Sequence, residues 1–415
     1  MNHRYFLTGL AVLSLACTAF AASPVVVKQQ GYIPFGDAPI NYRSEDLRDP
    51  IAVLQRKLDH GEVKLRYENE QSYLRSVLKA LNISANSQTL VFSKTSFQYP
   101  KISPHRPRAL YFNDDVYVGR VHDGTGLEFV SFDPMQGAIF YVLDEHKVAK
   151  PRFERANLDC IQCHIANVPT KGVPGVFVRS IYTSPNGTQA AGTPGYISGH
   201  ESPLKDRWGG WYVTGTHGSQ RHLGKAVDAG SFNPSFYLTD TSDIVAHLVL
   251  DHQTQMHNYI TQTNYQTRLA LAAKGPAQQY ERSAEQLVRY LLFAKEAKLE
   301  GPVVGDSGYA EEFAAKGPRD PKGRSLRDFD LNTRIFRYPC SYLIYSEAFD
   351  SIPGPTKDYI YHRLFEVLSG RDQGPDFASL SQEDRRAILE ILVATKPGLP
   401  AEWKQFVNTN QRSNQ

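Results

Sequence analysis

The sequence predicts an α+β protein: an antiparallel β-rich N-terminal half, a loop-rich middle segment and a helical C-terminal half. Three stretches carry that reading. Residues 109–143 hold short aromatic and β-branched runs separated by Asn-Asp, Asp-Gly and Pro-Met-Gln-Gly, the pattern of an antiparallel meander of about four strands. Residues 150–235 are rich in Gly, Pro, Thr and Ser, with only short strand-like pieces at 175–183 and 209–215. From residue 242 onward, apolar residues recur with a 3.6-residue period, as helices require.

Taken in chain order, residues 1–21 read as an export signal rather than structure. A basic MNHR start precedes an apolar run, and Ala19-Phe20-Ala21 offers the small-x-small pattern that places cleavage after Ala21. Cys17 raises lipid anchoring as an alternative, although Ser14-Leu15-Ala16 before it fits a lipobox poorly. Residues 22–149 form a mixed helix and antiparallel β region. In it, Asp49-Pro50 opens a helix with Ile51, Leu54 and Leu58 on one face and Gly61 past its end. A second helix over 72–83 carries Leu74, Val77, Leu78 and Leu81, and 89–99 alternates as a strand. Residues 150–235 form the loop-rich region, and 236–415 the helical one. Its helices are expected at 242–273 with Ser242 as N-cap, then at 284–299, 358–370 and 381–396. The basic stretch KGPRDPKGRSLRD (316–328) reads as a solvated loop.

Composition narrows the function. The chain has 415 residues, 46 Lys plus Arg against 43 Asp plus Glu, and a net charge of +3. That balance supplies no field for nucleic acid or an anionic membrane. After signal cleavage no segment approaches the ~18 apolar residues of a transmembrane helix. Four cysteines are too few for a disulfide scaffold. The chain has no phosphate loop, no G-x-S-x-G, no H-E-x-x-H and no dinucleotide fingerprint, so hydrolase and nucleotide-dependent readings have no support.

The strongest chemical signal is Cys160-Ile161-Gln162-Cys163-His164. C-x-x-C-H is the attachment pattern of c-type haem. Two thiols three positions apart reach the two vinyl groups of one porphyrin and form thioethers, and the adjacent imidazole then sits under the ring to bind iron. Cys160 and Cys163 are therefore the expected covalent haem c attachment points, and His164 the expected proximal iron ligand. Attachment takes place outside the bacterial cytoplasm, which agrees with the export signal and a periplasmic or secreted location. One motif implies one haem. A chance motif with a structural disulfide, a zinc site and a thioredoxin-like redox pair are the competing readings.

The motif resembles those of c-type cytochromes, but the chain is much longer than the small soluble class. Together with SKTSFQ, ALYFNDDVYVG, LDCIQCH, SPLKDRWGGWYVTGTHG, DHQTQMHNYI and RYPCSYLIYSEAFDSIPG, it resembles a family of exported bacterial c-type cytochrome-like proteins with a single CxxCH motif. Those segments span nearly the whole mature chain. The resemblance implies the architecture and leaves the substrate open.

The ligand opposite His164 separates the functions. A strong sixth ligand favours electron transfer to or from a periplasmic redox partner protein; an open position favours a haem enzyme of peroxidase or oxidase type. In the helix from 242, His252 and Met256 lie one turn apart on the apolar stripe, and His252 is the leading distal candidate. His247 and His257 fall off that stripe and are expected to face solvent. His217 and His222 in the loop THGSQRHLG, then His200, Cys340 and Met135, follow as weaker candidates. Arg207 and Arg221 are candidates to pair with haem propionates. Trp208 and Trp211 read either as aromatics flanking the porphyrin or as a packed turn.

Overall fold

Period-two alternation in the strands buries both faces of one sheet. In chain order the elements are α1 (Pro50–Asp59), α2 (Leu74–Ala80), β1 (Thr89–Val91), β2 (Arg108–Phe112), β3 (Val116–Arg120), β4 (Gly126–Asp133), β5 (Gly137–Asp144) and β6 (Phe153–Arg155). Next come α3 (Asn157–His164), β7 (Val178–Ile181), β8 (Gly195–Ser198), β9 (Trp211–Tyr212) and α4 (Ile244–Ala272). The C-terminal part adds α5 (Gln278–Leu291), α6 (Tyr309–Ala315), α7 (Glu347–Asp350), α8 (Gly354–Leu368), α9 (Gln382–Thr395) and α10 (Ala401–Arg412). The structure, a computed structural model, describes residues 33–412. The expected export signal, the expected cleavage site after Ala21 and the Cys17 lipid-anchor alternative lie outside the described residues.

The main sheet has seven antiparallel strands in the order β6-β5-β4-β3-β2-β1-β9. The four meander strands expected from the sequence are β2 to β5. Along them Tyr111, Val116, Val118, Ile139 and Tyr141 enter a core shared with Ile51 and Leu54 of α1 and Leu74, Val77 and Leu78 of α2. Their neighbours Phe112, Tyr117, Ala138 and Phe140 enter a second core, shared with α4 and the C-terminal helices. Successive side chains on a strand point to opposite faces, so the alternation itself divides the interior in two. α4 lies against the second face, and α5, α8, α9 and α10 pack outward from it in succession.

Several boundaries differ from expectation for identifiable reasons. The strand expected over 89–99 stops at Val91, because Phe92 and Ser93 both donate their N–H groups to Gly210 O. α4 is capped by Asp243, not Ser242. Asp243 Oδ1 accepts from Val245 and Ala246, while Ser242 Oγ donates to Tyr212 O at 2.7 Å and accepts from Leu90 at 2.9 Å. The helix expected at 284–299 runs from Gln278 to Leu291; Phe293 and Lys295 then take left-handed φ values of 54° and 64° and end it. Helices α3, α6, α7 and α10 were not anticipated.

The basic stretch 316–328 is not simply solvated. Lys322 Nζ and Arg324 Nη2 both contact Glu390 Oε2, at 2.8 and 2.7 Å. Arg327 is buried over the rings of Phe313 and Tyr342 and pairs with Asp114. Burial raises the Glu390 carboxyl, but the hydrogen bonds from Lys322, Arg324 and Arg386 outweigh it and hold the group down at about 2. A native pKa below the unfolded value gives stability that is present above the unfolded pKa and lost as pH falls through the native one. Glu390→Gln should therefore lower stability by about 1–2 kcal/mol at neutral pH, after discounting for the half-exposed lysine. The wild-type and variant denaturation midpoints should converge between pH 4.5 and pH 2. A constant gap over that range would contradict the assignment.

Candidate haem-attachment site

The motif lies on α3, which follows the edge strand β6 and packs on β5. A helical turn puts residues three apart on one face, so Cys160 and Cys163 share a side. Cys160 is half-buried against the second core and Cys163 is exposed. Among the described residues, His, Cys, Asp and Glu nowhere form a group of three or more that could hold a metal ion, so the four-ligand zinc arrangement is not formed there.

His164 closes α3 and is held from two directions. Its ring Nδ1 lies 2.9 Å from Gly175 O, and Gly175 N–H donates back to His164 O at 3.0 Å. A carbonyl only accepts, so Nδ1 carries the proton and Nε2 keeps its lone pair. Among the described residues nothing hydrogen-bonds Nε2. The ring sits beside Phe140 at 5.0 Å and Phe177 at 5.9 Å. Burial lowers the imidazole pKa, against a smaller raising effect of the Gly175 hydrogen bond. The ring is thus oriented by its Nδ1 hydrogen bond with Nε2 left unengaged among the described residues, which is what a proximal ligand requires. The donor set of two cysteines on one side of α3 and this imidazole at its end fits a covalently attached haem.

His252 is placed differently from a ready ligand. It is fully buried, its Nδ1 is 2.9 Å from His200 Nδ1, and its Nε2 is 2.8 Å from Ser341 Oγ. Its ring lies on Phe293 and parallel to Tyr290, with centroids 4.3 and 5.3 Å away. Burial lowers its pKa to about 3. Both ring nitrogens are engaged, so ligation would require the ring to release Ser341 or His200. Met256 is buried in the second core. The Cys340 thiol is pushed by burial to about 12 and stays protonated. His217 Nδ1 donates to Gln220 O at 2.7 Å. His222 packs against Trp208 and His217, and neither of its nitrogens has a hydrogen-bond partner among the described residues.

His247 and His257 are buried, contrary to expectation. α4 is enclosed by the sheet on one side and helices on the other, so it has almost no solvent face. His257 Nε2 donates to Asp114 O, and His247 Nε2 lies 3.0 Å from Tyr212 O.

The RWGGW segment docks onto α4. Arg207 Nη1 and Trp208 Nε1 meet Asp251 Oδ2 at 3.3 and 3.0 Å, and all three residues are buried. Arg207 is therefore committed to Asp251 rather than available to a propionate, while Arg221 is exposed. Trp211 Nε1 donates to Arg179 O. Trp208 holds φ at 66°, a strained value for a bulky residue. Gly209 follows because a Cβ there would lie 2.3 Å from Ile181 O. The packed-turn reading of the two tryptophans accounts for these contacts.

The residues that orient His164, namely Gly175, Phe140 and Phe177, were not singled out from the sequence; each is distant from the motif in sequence or carries no motif of its own. No family model, no curated protein and no solved structure matches this chain.

Proposed function

We propose that the chain is an exported, periplasmic mono-haem c-type cytochrome that transfers electrons to or from a redox partner protein through one covalently attached haem. The observation that carries this reading is the His164–Gly175 pairing at the end of the helix that carries Cys160 and Cys163. Cys160 and Cys163 would form the thioethers, and His164 would offer Nε2 to iron. When bound, such a group supplies a one-electron ferric/ferrous couple. Phe140 and Phe177 shield the imidazole on its flanks, and Gly175 holds its proton at Nδ1. No helix among the described residues is long and apolar enough to cross a membrane.

A second reading, a haem enzyme of peroxidase or oxidase type with an open distal position, is favoured by one observation: His252 has both ring nitrogens hydrogen-bonded.

Co-expression with haem-maturation proteins, followed by intact mass and visible spectra, tests both. Attached haem adds about 0.6 kDa. A low-spin spectrum indifferent to carbon monoxide supports the carrier. A high-spin spectrum that shifts with carbon monoxide supports the enzyme. Colourless protein of unmodified mass overturns both.

A further inference from the structure

Three buried amides of α4 converge on one loop. Gln255, Asn258 and Gln262 are three and four residues apart and so share a helix face; all are buried. Gln255 Nε2 donates to Pro169 O at 3.1 Å, and Gln262 Nε2 donates to Lys171 O at 3.1 Å. Between them Asn258 Nδ2 donates to Pro169 O at 3.1 Å and to Val176 O at 2.7 Å. Asn258 Oδ1 also accepts the Val176 N–H at 3.1 Å, so it pairs with Val176 in both directions. The preceding residue is Gly175, whose carbonyl takes the His164 Nδ1 proton. A Cβ at Gly175 would lie 2.1 Å from Asn258 Oδ1, so the glycine lets the amide close on the chain.

Buried amides are costly unless paired, and here each of the three donates N–H to the segment that follows the motif, while Gln262 Oε1 has no hydrogen-bond partner among the described residues. We propose that Asn258, flanked by Gln255 and Gln262, is the positioning residue for His164. It fixes Val176, hence the direction of the Gly175 carbonyl, hence the proton on Nδ1 and the orientation of Nε2. Asn258 itself touches neither the ring nor the iron position. The inference rests on the haem reading above. Donation from Nδ1–H strengthens an imidazole as a ligand through its other nitrogen. A stronger proximal donor favours ferric iron and lowers the potential.

The experiment compares the wild-type holoprotein with Asn258→Ala and Asn258→Asp. Intact mass first establishes that haem is attached in each. Midpoint potential and hydrogen exchange over residues 169–177 are then measured. Asn258→Ala should retain the thioether-linked haem, shift the potential upward and speed exchange at Gly175 and Val176. Asn258→Asp keeps the acceptor for Val176 N–H but loses the donors, so its shift should be smaller and in the same direction. If Asn258→Ala is not recovered folded, Asn258→Asp decides by the same two measurements. Haem-loaded variants with wild-type potential and wild-type exchange overturn the positioning role while leaving the haem reading intact. Faster exchange at an unchanged potential overturns it too, because a merely structural amide would behave so. Wild-type protein recovered without haem overturns the haem reading and this inference with it.

Discussion

A Cys160→Ser/Cys163→Ser double variant, exported under conditions that mature cytochromes, should be recovered colourless and without the added mass of haem. Each thioether needs its own sulfur, and His164 alone would have to hold the group through one coordinate bond. Either single variant should keep one thioether and a reduced yield of coloured protein. His164→Ala should behave differently again. It retains both sulfurs and so the covalent links, but loses the nitrogen oriented by Gly175, and its reduced spectrum should change in spin state. The polypeptide should still fold in all four variants. Cys163 is exposed and Cys160 only half-buried, so the exchanges remove little packing from the second core. Far-ultraviolet circular dichroism like that of haem-free wild type, together with loss of visible absorbance, is the expected pair of results. Full absorbance in the double variant would show that the motif does not attach the chromophore.

The largest loss of stability should come from Arg207→Met. Arg207 and Asp251 are almost completely inaccessible, and removing Arg207 takes away the group that offsets the burial of the Asp251 carboxyl, typically at a cost of about 3–5 kcal/mol. Trp208 Nε1 would remain as a donor to Asp251, which places the loss toward the lower end. Adding Asp251→Asn removes the group that must otherwise be buried ionised or protonated at a cost, so the double variant should recover a substantial part of the loss in urea denaturation at and above neutral pH. Additive losses would mean that the two groups do not interact.

The same pair sets a pH dependence. Burial raises the Asp251 carboxyl to about 7, with Arg207 and Trp208 pulling it back. Its native pKa lies above the unfolded value, so between roughly pH 4 and pH 7 the native state binds more protons than the unfolded state. The contribution to stability is fully present below the unfolded pKa and is lost as pH rises through the native one. Without Arg207 the carboxyl should rise further, and the decline of stability with pH should extend above neutrality in Arg207→Met. A decline that stops at the same pH in both proteins would place the titration elsewhere.

The parts legible in the sequence are those whose cause is local. The meander of β2 to β5 follows from alternation broken by turn residues, and α1, α2 and most of α4 follow from apolar spacing and a capping residue. The C-x-x-C-H motif was legible because the chemistry proposed for it needs two thiols and an imidazole at fixed separation, and that separation is itself a sequence property. α3 was not, because NLDCIQCH carries a weak helical pattern and lies in a Gly- and Pro-rich stretch. The two-sided burial of α4 was also hidden. Asp251, Gln253, His257 and Asn258 look like a solvent face, yet each meets a backbone carbonyl, a tyrosine or a buried partner from another part of the chain.

Alone, then, the sequence determined the meander strands and the longer helices, and it offered C-x-x-C-H and an export-like N-terminus as expectations, since each depends on neighbours within a few positions. Only the tertiary structure decided that His252 is bound on both nitrogens, that Arg207 belongs to Asp251, and that Gly175 and Asn258 stand behind His164. Those outcomes depend on contacts between segments far apart in sequence, for example 82 residues between Val176 and Asn258. Burial there makes every unpaired polar atom costly, so the surrounding fold, rather than local spacing, selects each partner.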